Sequence, residues 1–156
     1  MPNTLFLAPA GPGIGYTSVT MGLVRALDRI GLRVSFLKPN SSREESPDRS
    51  VALIEQTTGL KPQTPLARSV ALGLYRREPD QLMEEVVKLL QAAAAGADVV
   101  IVEGQMSAEL QSSVGRFNAT MAESLDAAVL PVAAPGPDST GERGGLRDIV
   151  GRPDGG

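Results

Sequence analysis

The 156-residue chain contains no cysteine and no histidine. Without thiols there is no disulfide staple, thiolate nucleophile or cysteine metal site, and without imidazole there is no Ser-His-Asp triad or histidine-ligated metal. Tryptophan is also absent and aromatics make up only 3%, too few for a base-stacking platform. Any chemistry falls to carboxylates, lysine, hydroxyls and backbone amides. Basic residues are in deficit, 15 Lys and Arg against 18 Asp and Glu for a net charge of −3. With no basic block, nucleic acid is not expected as a partner, whereas a small anionic metabolite needs only a local site. No apolar run approaches the roughly 18 residues of a membrane span, and no basic region precedes the first one. Neither a membrane span nor a signal peptide is expected, and a cytoplasmic location follows by default.

What is present is ordinary globular composition, 42% hydrophobic and 21% charged, in a length that suits one domain with a real core. Leu5 to Ala8 reads as a buried strand running into the glycine-rich segment Gly11-Pro-Gly-Ile-Gly15. Val19, Leu23, Ala26, Leu27 and Ile30 then recur at helical spacing before Gly31. A second strand at Arg33–Leu37 completes a βαβ unit and predicts an α/β fold with a parallel sheet flanked by helices. Further helices are expected at Val51–Thr58, from Pro79 to Gly96, and at Phe117–Leu125, with Met83 and Met121 in the core. Asp98–Val102 reads as a buried strand, and Ala127–Ala134 as another weakened by Pro131. A domain over residues 1–134 is therefore expected. Residues 135–156 form a Gly/Pro-rich tail or cut end of that domain, with Leu146–Val150 barely one helical turn.

The segment from Ala10 to Ser18 invites comparison with the phosphate-binding pattern G-x-x-x-x-G-K-[ST], in which amides cradle phosphates, lysine reaches the terminal phosphates and the hydroxyl binds magnesium. Gly15 and Thr17 fit that pattern, Tyr16 stands where lysine would be, and Ala10 where the first glycine would be. Gly11, Gly13, Gly15, Tyr16, Thr17 and Ser18 are thus candidates for holding an anion through helix N-terminal amides. A turn that merely reverses the chain is the competing reading. Lys38, at the end of the second strand, supplies a charge that partly replaces the missing lysine, or is a solvated surface group. Thr17, Asp48 and Glu103 lie at or past element ends, where Mg²⁺ beside phosphates takes its oxygen ligands. Asp48 also suits a helix cap, and Glu103 a partner for loop amides. Glu44-Glu45 reads as a solvated loop, and Arg76-Arg77 as an exposed pair ahead of the helix at Pro79.

Leu5-Phe-Leu-Ala-Pro9, Gly15-Tyr-Thr-Ser-Val19, Gly22-Leu-Val-Arg-Ala-Leu27, Phe36-Leu-Lys-Pro39, Pro47-Asp48 and Val102-Glu-Gly104 resemble the dethiobiotin-synthetase-like P-loop fold. More specifically, Pro65-Leu-Ala-Arg-Ser69, Gly73-Leu74 and Leu82-Met-Glu-Glu-Val-Val87 resemble the amino-terminal domain of long-form bacterial phosphate acetyltransferases. The resemblance implies a parent enzyme interconverting acetyl-CoA plus phosphate with acetyl phosphate plus CoA. It implies an acyl-transfer site in a separate carboxyl-terminal domain, and roles in stability, assembly and metabolite regulation for this one. Partners would be the remaining domains of the parent and further copies in a homo-oligomer. The resemblance to dethiobiotin synthetase would assign Thr17, Asp48 and Glu103 to magnesium and Lys38 to substrate, with Mg and a nucleotide or another anionic effector as ligands. Two alternatives stand beside the regulatory reading: an ATP- and Mg-dependent ligase of the dethiobiotin or cobyrinate-amidating type, and a ligand-free assembly module.

Overall fold

The computed structural model describes residues 2–11, 15–44, 47–105 and 113–133. Along the chain run β1 (Asn3–Pro9), α1 (Tyr16–Arg29), β2 (Val34–Leu37), α2 (Arg49–Thr58), α3 (Arg68–Arg77), α4 (Pro79–Ala94), β3 (Val99–Glu103), α5 (Val114–Ser124) and β4 (Ala128–Val132). The four strands form one fully parallel sheet in the order β2-β3-β1-β4. The Leu146–Val150 candidate lies outside the described residues.

Strand β3 shows why the sheet is parallel and central. All five of its residues are buried, because β-branched side chains on both faces meet helices rather than water. Val100 and Val102 join Phe6 and Leu37 under α3, α4 and α5, whereas Val99 and Ile101 join Leu7 and Phe36 under α1 and α2. Each such side chain contributes roughly 1.5–3 kcal/mol of burial before conformational entropy is subtracted. The chain travels from β1 to β2 over the α1 face and returns to β3 by way of α4 on the other, the alternation that a uniform crossover hand requires.

Local chemistry sets the element ends. Gly31 and Gly59, at φ 84° and 73°, close α1 and α2 in the left-handed region. Asp48 caps α2 by accepting from the backbone N–H of Ser50 and Val51 at 3.0 and 3.4 Å. At the amino edge of the sheet, Asp98 accepts from the backbone N–H of Arg33 at 2.8 Å and from its Nε and Nη2 at 3.0 and 2.7 Å. These hydrogen bonds lower the Asp98 carboxyl to about 2.

Three sequence expectations need correction. Helix α3 is absent from the sequence reading, because its apolar stripe is short, with Ala71 buried and Leu74 and Tyr75 only partly so against the core; Arg76-Arg77 occupy its last turn rather than a segment ahead of α4. In α1 the buried stripe is Tyr16, Thr20 and Val24, while Val19 and Ile30 are exposed. The stripe includes two polar residues, which a count of apolar positions skips. Pro131 does not weaken β4 against β1, since Ala10 N–H donates to Val132 O at 2.8 Å. Residues in a parallel strand alternate in the side they bond to, so Pro131 turns its missing N–H to the side of β4 away from β1.

Candidate functional site

Strands β1 and β3 are neighbours, yet the connection leaving β1 crosses to β2 and that leaving β3 crosses to β4. Their carboxyl ends therefore flank the topological switch point, the crevice where open α/β sheets bind ligands. Buried polar side chains collect on this edge. Among the described residues they are Thr20, Lys38, Asn40, Ser41, Asp48, Ser50, Glu103, Gln105 and Asn118, all on or against the segments that follow β1, β2 and β3. Buried polar groups need partners, and two networks supply them.

The first is centred on Lys38. Its ammonium lies 3.1 Å from Asp48 Oδ1 and 3.2 Å from Glu103 Oε1, and donates to Ser50 Oγ at 3.2 Å. Thr20 Oγ1 donates to Glu103 Oε2 at 3.4 Å, and the Thr17 and Ser50 hydroxyls are 3.3 Å apart. Lys38 is only 4% exposed, so both of its ion pairs are out of bulk water. Burial pushes the Glu103 carboxyl above its ordinary value, with Asp48 adding to the shift while Lys38 and a hydrogen bond from Ser50 oppose it.

The second network surrounds Asn118. Gln105 N–H donates to Asn118 Oδ1 at 2.8 Å and Asn118 Nδ2 donates back to Gln105 O at 3.0 Å. Asn40 Nδ2 donates to Gln105 Oε1 at 2.9 Å. The loops leaving β2 and β3 are thereby tied to α5.

Tyr16 links the edge to the core. Its hydroxyl donates to Leu7 O and accepts from Gly104 N–H at 2.9 Å, while Gly104 N–H also reaches Leu7 O at 2.9 Å. Burial and then the Glu103 charge raise the phenol, with the Gly104 N–H opposing. Gly104 must be glycine, because a Cβ there would stand 2.7 Å from Leu7 O and 2.8 Å from Phe6 Cε1.

Of the candidates read from sequence, Gly11 follows β1 and Gly15 caps α1 at φ 68° with no side-chain cap on the helix. Thr17 and exposed Ser18 lie in its first turn, and Gly13 lies outside the described residues. The Tyr16 side chain points into the core. Lys38, Asp48 and Glu103 do meet, but Thr17 joins them only through Ser50. The metal assignment of Thr17, Asp48 and Glu103 therefore meets an obstacle, because the two carboxylates converge on an ammonium. Mg²⁺ takes oxygen ligands at about 2.0–2.1 Å in a near-octahedral shell, and these residues as arranged do not fit one beside Lys38. Among the described residues no group of three or more carboxylates is placed to hold a metal. Sequence reasoning missed Thr20, Asn40, Gln105 and Asn118. The available signal was that Asn40 and Gln105 each come two residues after the charged or strand-ending positions Lys38 and Glu103.

The phosphate acetyltransferase of Pseudomonas putida is 42% identical over 137 residues, 85% of this chain and 20% of that enzyme. That of Pseudomonas aeruginosa is 44% identical over the same shares, and that of Escherichia coli 31% identical over 144 residues, 89% of this chain. The chain thus spans about a fifth of the length of these relatives, corresponding to their amino-terminal part. Two solved structures share the fold: the signal recognition particle receptor FtsY of Elizabethkingia anophelis, with TM-score 0.55, 15% identity and coverage of 96% of this chain and 48% of that one, and the BceF tyrosine kinase domain, with TM-score 0.51, 16% identity and coverage of 96% and 64%. The architecture is a P-loop NTPase-like α/β fold. Among the described residues no helix is long and apolar enough to cross a membrane. With the AAA domain family model matching residues 3–142, the chain belongs to the AAA domain family, in the branch homologous to the amino-terminal part of phosphate acetyltransferases.

Proposed function

We propose that this chain is a regulatory or structural amino-terminal domain of a phosphate acetyltransferase, and that acetyl transfer between CoA and phosphate is carried out by other domains of the parent enzyme. The observation that carries the reading is the placement of Tyr16. At the position where a phosphate loop has its lysine, this side chain is spent on pinning Leu7 O and Gly104 N–H, which supports reading the loop as a degenerate Walker A motif. Its uncapped helix start still offers the amides of Tyr16, Thr17 and Ser18, a setting for the phosphate or carboxylate of a small effector. Gly11, Gly13 and Gly15 would allow its close approach, and contacts to the parent's other domains or to further copies would transmit its binding.

The purified chain should neither form acetyl phosphate from acetyl-CoA and phosphate nor hydrolyse ATP at an appreciable rate. Turnover of acetyl-CoA by this chain alone would overturn the proposal. The competing ligase reading requires Mg-ATP binding. Calorimetric titration of the parent chain and of Tyr16→Lys separates the two: binding by the parent favours the ligase, and binding only by the variant marks the native loop as degenerate.

A further inference from the structure

We infer that Lys38 is the resident cation of this site: its ammonium occupies the position between Asp48 and Glu103 and closes it to divalent metal ions. The inference concerns these side chains alone and stands whatever the parent enzyme does.

An ammonium has three N–H donors and no acceptor. Those of Lys38 face three oxygens, Asp48 Oδ1 at 3.1 Å, Glu103 Oε1 at 3.2 Å and Ser50 Oγ at 3.2 Å. Each carboxylate is also held from elsewhere, Asp48 by the amides it caps in α2 and Glu103 by Thr20 of α1. The lysine therefore sits in a preformed oxygen cage built from α1, α2 and β3. Two carboxylates and two hydroxyls, counting Thr17 beside Ser50, are the hard oxygen donors that a divalent cation selects. A metal ion entering the cage must expel an ammonium that is 4% exposed. The ammonium's departure breaks two buried ion pairs and the bond to Ser50, and a hydrated metal ion must give up water to take its place. The oxygen set remains suited to a metal, and the lysine excludes it.

The test uses Mn²⁺, titrated by the electron paramagnetic resonance of the free ion and by thermal shift, against the parent chain, Lys38→Ala and Lys38→Ala/Glu103→Gln. The parent should bind Mn²⁺ weakly, whether alone or with ATP. Lys38→Ala should bind at least about tenfold more tightly, a gain of about 1.4 kcal/mol, and its melting temperature should rise with Mn²⁺. The double variant should lose that gain. If Lys38→Ala is unfolded in chelator, recovery of the parent circular dichroism in Mn²⁺ supports the inference and failure to recover counts against it. Binding by the parent as tight as by Lys38→Ala, with or without ATP, overturns it, as does a gain that survives Glu103→Gln.

Discussion

Replacing Gly104 by alanine adds a single methyl at the most crowded point of the switch-point crevice. The new Cβ would stand 2.7 Å from Leu7 O and 2.8 and 3.0 Å from Cε1 and Cζ of Phe6. Neither neighbour is free to yield. Leu7 lies in β1, paired with Glu103 of β3, and its carbonyl also receives the Tyr16 hydroxyl; the Phe6 ring is fully buried. Relief must come from moving the Gly104 backbone, which stretches its bonds to Leu7 O and Tyr16. Overpacking costs about 1–3 kcal/mol and a weakened hydrogen bond about 0.5–1.5 kcal/mol, so the expected loss is about 2–4 kcal/mol. At about 2–4 °C per kcal/mol for a domain of this size, the melting temperature should fall by about 4–16 °C. Urea denaturation measures the loss directly, with the slope expected to stay unchanged. Gly22→Ala serves as the control: Gly22 is mid-helix in α1 with open space where its Cβ would go, and that change should stabilise by about 0.4–1 kcal/mol. A Gly104→Ala chain within about 0.5 kcal/mol of the parent would refute the reasoning.

Tyr16→Phe should cost only about 1 kcal/mol in urea, because Leu7 O and Gly104 N–H remain bonded to each other, whereas Tyr16→Ala should cost about 3–5 kcal/mol through the cavity it opens. Asp48→Ala removes the α2 cap, worth about 0.5–2 kcal/mol, and also one of the two ion pairs of Lys38, so equilibrium unfolding should show a loss above that range. Burial raises Glu103, so the folded state holds its proton longer than the unfolded one and stability falls as pH rises above the ordinary glutamate range; Glu103→Gln should flatten that slope in urea midpoints collected across pH. Asp98 behaves oppositely. Its carboxyl is lowered to about 2 by Arg33, so its contribution is present above pH 3.8 and lost as pH falls toward 2, and Asp98→Asn should remove that part of the acid dependence.

Much of the sheet is legible in the sequence because its strands are continuous apolar runs bounded by turn residues. Val99–Val102 is the clearest, and α4 reads equally well because five apolar residues at helical spacing follow a proline at its first position. Helix α3 is harder to read because its stripe is only Ala71, Leu74 and Tyr75, two of them half-buried. The buried face of α1 is displaced in the reading because Tyr16 and Thr20 are buried as hydrogen-bonded polar groups, which hydrophobic counting treats as surface. At the site, the sequence places Lys38, Asp48 and Glu103 at element ends, but their convergence depends on strand order. Lys38 and Glu103 become neighbours because β2 pairs with β3, across some 60 residues of intervening chain. That a lysine rather than a metal would sit between the two acids is a matter of side-chain reach, which residue spacing does not encode.

The strand order also sets a timetable for synthesis. β1 is an interior strand, but both of its partners, β3 and β4, come late in the chain. At a ribosomal rate of about 5–20 residues per second, the roughly 90 residues between β1 and the end of β3 take about 5–20 s to emerge. Throughout that interval the Leu5–Leu7 segment has neither edge paired. A chain in synthesis therefore carries an unshielded β-forming stretch, and a binder of extended apolar peptide would find its target there before the sheet closes.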